Sequence, residues 1–251
     1  MSEWVEGRIQ TVTHWTETLF SIRVEAALPA YRAGQFTRLA LWLPGEEGAP
    51  ERVAHAYSFV NPPAADYHEF YIVLIPGGRL TPALHRLQPG DSLWLAAQAS
   101  GFLTAEELPD GDTLWLLSTG TAIGPFLSLL AEGALQPRYA RVVLAHGVRF
   151  GRELNYQTLI RALQQATPDW LTYVPFVSRE PWAEGLSGRI PSALADGRLE
   201  RVVGAALTPA STVALCGNPQ MVRDTLTLLQ ARGLHKHLRR APGQICSENY
   251  W

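Results

Sequence analysis

At 251 residues, with 47% hydrophobic and 18% charged side chains, the chain has a globular composition and length enough for one large domain or two of ordinary size. Its formal net charge of -2 argues against general nucleic-acid binding, which is usually the work of basic surfaces. Two cysteines, Cys216 and Cys246, are too few for a disulfide framework, a structural zinc site or an iron–sulfur cluster, so no metal site is expected.

In chain order, residues 1–7 are polar, without the apolar run of a signal peptide, and no later stretch is apolar for long enough to span a bilayer. The expectation is a cytoplasmic, monomeric protein with reduced thiols and no membrane partner. Residues 7–13 alternate around Ile9 and Val12. Residues 19–24 set Leu19, Ser21 and Arg23 against Phe20, Ile22 and Val24, a period of two that predicts a strand. Residues 35–43, 56–60, 70–75 and 92–96 follow, rich in aromatic and aliphatic side chains. Turn formers such as Pro29, Gly34, Pro62-Pro63 and Pro89-Gly90 separate them. Short strands at this spacing predict an antiparallel barrel or sandwich. One short helix is expected over 81–87, capped by Thr81 with Pro82 in its first position.

Residues 103–113 are acidic and turn-rich, and they mark a boundary between domains of 1–104 and 105–251. Beyond it the rhythm changes. Residues 114–118 form a continuous apolar run, as expected of a strand buried on both faces. A glycine-containing turn follows, then a helix with Ile123, Leu127 and Leu130 at i, i+4 and i+7. Further strands are expected over 141–146, 171–177 and 212–216. Further helices are expected over 155–164 and through Val222, Leu226 and Leu229. Alternating strands and helices predict a parallel sheet with helices on both faces.

Several segments carry candidate chemistry. Ser118-Thr119-Gly120-Thr121-Ala122-Ile123-Gly124-Pro125 lies between a buried strand and a helix. Its small residues admit a ligand close to the backbone, and the free N–H groups of a helix start suit a pyrophosphate. It lacks the GxGxxG fingerprint, and alone it fits an ordinary tight turn equally well. In NAD-specific folds the next strand end supplies a carboxylate to the ribose 2′-hydroxyl. Here Arg149 stands after Val148 instead, Ser178-Arg179 ends the following strand, and Ser187-Gly188-Arg189 adds a third arginine. Each arginine alone reads as a solvated surface residue. Their repetition after successive strands points to an anionic 2′-phosphate. Cys216 ends the last strand before Gly217-Asn218-Pro219; it is either a small core residue or a thiol beside a nicotinamide. In the first half, Tyr57 offers a flat amphipathic face and Ser58 a hydroxyl, both suited to a flavin ring and both ordinary in a strand. Pro76-Gly77-Gly78-Arg79-Leu80-Thr81 is a second candidate anion-binding turn. His235, Lys236, His237, Arg239 and Arg240 form a basic cluster, suited to an acidic carrier protein or simply solvated.

The motifs Ala56-Tyr57-Ser58, Gly78-Arg79-Leu80-Thr81, 119–125, Val177-Ser178-Arg179-Glu180, Cys216-Gly217-Asn218-Pro219 and the terminal Tyr250-Trp251 come in a specific order and spacing. Together they resemble the ferredoxin–NADP reductase family, in particular its bacterial members that serve ferredoxin or flavodoxin. The resemblance runs over essentially the whole chain. It implies an N-terminal antiparallel β-barrel holding FAD and a C-terminal α/β parallel-sheet domain binding NADP, with the C-terminal tail closing on FAD. It implies electron transfer between NADPH and ferredoxin and/or flavodoxin. His55, Ala56, Tyr57, Ser58, Tyr71, Ile72, Val73, Leu74, Arg79, Leu80, Thr81 and Thr121 would contact FAD, and Tyr250 and Trp251 would cover it. Val148, Arg149, Ser178, Arg179, Arg189 and Asp224 would contact NADP. Ser58, Cys216 and Glu248 match positions implicated in hydride transfer or proton supply.

The family pattern usually has arginine where this chain has His55. Arginine stays charged, whereas histidine titrates near neutrality. FAD is therefore expected to be held less firmly at high pH, with Arg52 or Arg79 compensating in part. An FAD dissociation constant unchanged between about pH 6 and pH 9 contradicts this expectation.

Overall fold

The structure is a computed structural model, and it describes residues 3–45 and 48–249. Its first sheet contains β1 (Trp4–His14), β2 (Leu19–Glu25), β3 (Phe36–Pro44), β4 (Pro50–Ser58), β5 (His68–Val73) and β6 (Ser92–Ala96). The order is β4-β3-β6-β1-β2-β5, with antiparallel pairings. The sheet curls until its edges approach: Phe59 bridges Phe70, and the Val60 N–H donates to the Glu69 carbonyl at 2.9 Å. Curling covers backbone groups that an open edge would leave unpaired. The period of two is realised in β2, whose Phe20, Ile22 and Val24 all enter the core of this half-barrel. β4 begins well before the expected residue 56. Its outer end carries exposed Glu51 and Arg52, which hide the apolar alternation. Helix α1 (Leu80–His85) buries Leu80 and Leu84 in the same core. Thr81 does not cap it. Thr81 lies inside the helix, and its hydroxyl accepts from the Ile75 N–H at 3.0 Å.

The second sheet is parallel: β7 (Thr113–Thr119), β8 (Arg141–Val148), β9 (Leu171–Val177), β10 (Leu186–Ser187), β11 (Thr212–Gly217) and β12 (Ile245–Asn249). Its order is β10-β9-β8-β7-β11-β12. The helices are α2 (Gly124–Glu132), α3 (Gln157–Ala166), α4 (Ile190–Ala195), α5 (Arg198–Val203) and α6 (Pro219–Ala231). Along β7, Leu114 and Leu116 pack on the side of α2 and α3, while Trp115 and Leu117 pack against α4, α5 and α6. Both faces of the strand are covered, which is why it reads as an unbroken apolar run. A short 3-10 turn, Gly120–Ile123, precedes α2. The tail is an edge strand, β12, pairing with β11 from Val213–Ile245 to Gly217–Asn249. Neither it nor α4, α5 and β10 follows from periodicity, because each is too short to display one.

A continuous seam joins the two sheets. Leu103, Ala105 and Leu108 of the connecting segment share a core with Phe126 and Leu129 of α2, with Leu19 and Tyr71 of the first sheet, and with Ala33 and Val60 of its connections. The acidic, turn-rich connection is thus a packed segment rather than a loose linker. Polar contacts cross the seam as well. Ser128 Oγ donates to the Asn61 carbonyl at 2.7 Å, and Asn155 Nδ2 donates to the Tyr71 hydroxyl at 2.7 Å. Tyr156 Oη donates to Glu69 Oε1 at 2.8 Å, while Glu69 Oε2 pairs with Arg23 Nε at 2.9 Å. Tyr156 reaches this position with φ of 62°, an uncommon conformation for an aromatic residue. Asn155 and Tyr156 are engaged at the seam, so α3 starts at Gln157 rather than at residue 155.

His146 in β8 is fully buried, with Nε2 3.0 Å from the Gly120 carbonyl. Its Nδ1 has no hydrogen-bond partner among the described residues. Burial pulls its pKa down to about 4 from an ordinary 6.5. The ring is therefore neutral, and its Nε2–H holds the turn after β7. Between those two pH values the unfolded chain binds the extra proton and the folded chain does not. Stability should fall as pH drops through that window, by on the order of 3 kcal/mol from this group. His146→Gln keeps a donor near Nε2 without an ionisable ring. Urea denaturation from neutral to acid pH should show a shallower decline for this variant; identical declines would contradict the account.

Candidate functional site

A cleft of about 450 Å³ opens beside the half-barrel. β4 contributes His55, Ala56, Tyr57 and Ser58 to its lining, and β5 contributes Tyr71, Ile72 and Val73. The turn into α1 adds Gly78, Arg79, Leu80 and Thr81. Two further walls cross the seam: Thr121 from the 3-10 turn after β7, and Glu248 with Asn249 from β12. Residues expected on sequence grounds to contact a flavin therefore converge, with one difference. Leu74 does not line the cleft; it packs against the core of the first sheet. Tyr250 and Trp251 lie outside the described residues. Phe36, Ile75 and Asn249 line the cleft without having been singled out. Phe36 pairs with Ser58 in the β3–β4 ladder, a relation invisible until the register is known. Aromatic rings at Tyr57 and Tyr71, with hydroxyls at Ser58, Thr81 and Thr121, suit a flat heteroaromatic ring with a polar edge.

The charges near the cleft are less simple than the sequence implies. His55 is exposed at its rim. Arg79 Nη1 is 2.8 Å from Glu51 Oε2, and its Nη2 donates to the Pro44 carbonyl at 3.0 Å. That ion pair is half-exposed and of the kind worth at most about 1 kcal/mol, so an anion can displace it. Arg52 cannot compensate for His55 in this arrangement. Its guanidinium lies 4.4 Å from the Trp4 ring and 5.5 Å from the Trp42 ring, away from the cleft.

The parallel sheet completes the site at its topological switch point. From β7 the chain builds outward through β8, β9 and β10, then returns to place β11 on the other side of β7. The chain leaves β7 towards α2 on one face and leaves β11 towards α6 on the other, which opens a crevice where such sheets bind ligands. Thr119 Oγ1 accepts from the Asn218 N–H across it at 2.8 Å. Gly217, at φ of +137°, makes this approach possible; a Cβ there would sit 3.0 Å from the Thr119 nitrogen. Asn218 caps α6 by accepting from the N–H groups of Gln220 and Met221.

Cys216 and Glu248 are register partners in the β11–β12 pair. Burial raises the Cys216 thiol well above its ordinary value, and the Glu248 charge adds to this, so the thiol is protonated. Burial also raises the Glu248 carboxyl, opposed by hydrogen bonds from the backbone of Phe102 and Leu103. Glu248 Oε1 accepts from the Phe102 N–H at 2.7 Å. A carboxyl held this way sits closer to its protonated form at neutral pH and is a candidate proton donor.

The loops after β8 and β9 bring four more of the expected residues together. The Ser178 hydroxyl donates to the Val148 carbonyl at 3.0 Å, and the Arg179 N–H donates to the Arg149 carbonyl at 2.9 Å. The Gly188 N–H donates to the Val177 carbonyl at 2.8 Å, which returns the chain so that Arg189 opens α4 beside this edge. Arg149, Arg179 and Arg189 are exposed, and none has an ion pair among the described residues. Asp224 stands on α6, accepting from Gln220 Nε2 at 2.6 Å. Among the described residues no group of His, Cys, Asp and Glu is arranged to hold a metal, and no helix is long and apolar enough to cross a membrane.

Comparison with known proteins agrees with this geometry. Residues 116–227 match the oxidoreductase NAD-binding domain family. The chain is 45% identical to a flavodoxin/ferredoxin–NADP reductase of Shigella flexneri and 44% identical to that of Escherichia coli K12, each over the full length of both chains. A ferredoxin NADP+ reductase from Neisseria gonorrhoeae, solved with bound FAD and NADP, superposes with a TM-score of 0.90 at 36% identity, covering 99% of each chain. The chain belongs to the flavodoxin/ferredoxin–NADP reductase family.

Proposed function

We propose that this protein is an FAD-dependent reductase that exchanges electrons between NADP(H) and a ferredoxin or flavodoxin. The observation that carries the proposal is the composite cleft, in which Tyr57 and Ser58 of the first sheet share a lining with Thr121, from the turn after β7, and Glu248 of β12. Residues 1–104 form the FAD-binding unit and residues 105–251 the NADP-binding unit. Bound FAD supplies two-electron hydride chemistry towards the nicotinamide and one-electron chemistry towards the carrier. The chain supplies the positions. Tyr57 and Tyr71 give the ring apolar walls, and Ser58 and Thr121 offer hydrogen bonds to its polar edge. Arg79 would release Glu51 to hold the diphosphate, assisted by His55 at the rim of the cleft. Glu248, its carboxyl shifted towards the protonated form by burial, would serve as a proton donor at the cleft, and the neutral thiol of Cys216 would leave the crevice uncharged.

The carrier docks where the basic segment 235–240 meets the cleft. Exposed Phe102 lies beneath Arg239, whose guanidinium is 5.0 Å from the ring, and the Phe102 N–H is bonded to Glu248. An acidic carrier steered by Arg239 and Arg240 arrives beside the redox site. Buried thiols without a disulfide suit a protein working in the reducing cytoplasm.

Arg149→Ala and Arg189→Ala should each raise the KM for NADPH by about 10- to 100-fold, the loss of a charge-assisted contact, and change the KM for NADH much less. Steady-state reduction of ferredoxin or flavodoxin with either nucleotide reads this directly. Equal loss for both nucleotides would contradict the phosphate assignment.

A further inference from the structure

We infer that Trp182 is a specificity-determining residue, which braces the loops after β8 and β9 so that Arg149, Arg179 and Arg189 stand ready for a 2′-phosphate. The inference rests on the reading of those arginines as the phosphate site. It comes from a close approach that neither periodicity nor motif reveals. The six-membered ring of the Trp182 indole occupies the space beside Gly151, one loop away, where a side chain would otherwise begin. A Cβ at position 151 would sit 2.8 Å from Cη2 and 2.9 Å from Cε3 of the indole, so only glycine fits under the ring. Gly151 is two residues beyond Arg149, and Trp182 is three beyond Arg179.

Hydrogen bonds reinforce the same junction. The Gly151 N–H donates to Glu180 Oε1 at 2.7 Å, and the Arg179 N–H donates to the Arg149 carbonyl at 2.9 Å. Glu153 Oε2 accepts from the N–H groups of Arg149 and Phe150, which fixes the other side of the first loop. The Trp182 N–H donates to Ser187 Oγ at 2.9 Å, tying the tryptophan to the stretch that leads into Arg189. The indole Nε1 is buried and has no hydrogen-bond partner among the described residues. Burying a donor without a partner costs about 1–3 kcal/mol, so the ring is held there by packing alone.

The brace has a selective effect on binding. The long arginine side chains each lose rotamer freedom when they close on an anion. Fixing the backbone beneath them lowers the ordering cost of the phosphate contacts. A nucleotide without the 2′-phosphate makes few of those contacts and gains little. Trp182 therefore acts on the discrimination between NADPH and NADH.

The test compares Trp182→Ala, Trp182→Phe and Gly151→Ala in the FAD-loaded protein, with Arg149→Ala alongside. KM and kcat are measured for NADPH and for NADH. Trp182→Ala should raise the KM for NADPH about 5- to 20-fold and that for NADH less than about twofold, with kcat at saturation nearly constant. Trp182→Phe should restore most of the loss, and Gly151→Ala should reproduce it by displacing the indole. Equal weakening of both nucleotides would overturn the inference, because it would mean that Trp182 stacks on the shared adenine. No change in either KM would overturn it as well. In both cases an NADPH-selective loss in Arg149→Ala leaves the phosphate reading intact, whereas its absence removes the reading itself.

Discussion

The carboxylate of Glu69 holds the two halves of the molecule in register. It is almost fully buried, yet it belongs to the half-barrel and is met across the seam by the hydroxyl of Tyr156. Arg23, from the neighbouring strand, supplies the countercharge. A buried carboxylate left without partners costs several kcal/mol, so the seam cannot slide without exposing this group to that penalty. Tyr156 adopts a left-handed backbone conformation to reach it, a local strain that the hydrogen bond and the edge contact with the Tyr71 ring offset. Tyr71 is in turn bonded to Asn155 and lines the cleft. One wall of the cleft is thus fixed from the side of the parallel sheet.

Everything at the site depends on that alignment. Ser58 and Tyr57 of the half-barrel line one cleft with Thr121 from the turn after β7 and Glu248 of β12, so the cleft exists only while the two halves stay aligned. Hydride transfer demands two planar rings in contact at a defined separation, and a displacement of about 1 Å is enough to cost a large factor in rate. The remaining groups refine the environment. His146, kept neutral by burial, fixes the Gly120 turn without adding charge. Glu248 stays tethered to the Phe102 N–H, at the junction of the cleft and the proposed docking surface.

Much of this was legible in the sequence, for physical reasons. A strand covered on one face must alternate, as Phe20, Ile22 and Val24 do, and a strand covered on both must not, as in β7. The cleft-lining residues from His55 to Ser58 and from Arg79 to Thr81 fall in local motifs, so they could be found without coordinates. Contacts between distant segments could not. The side of β4 on which Arg52 lies, the capture of Arg79 by Glu51, the seam built on Glu69 and the packing of Trp182 on Gly151 are facts of tertiary assembly. Short elements such as β12 also escaped, because five residues carry too little periodicity to separate a strand from a tail.

The central claim is that one cleft brings a nicotinamide from the parallel sheet onto a flavin held by the half-barrel. Anaerobic titration of the FAD-loaded protein with NADPH tests this most directly. A stoichiometric amount should bleach the visible flavin absorbance, and oxidised flavodoxin or ferredoxin should restore it, with NADH far less effective. Protein that binds no FAD, or holds FAD whose absorbance NADPH leaves unchanged, would contradict the account.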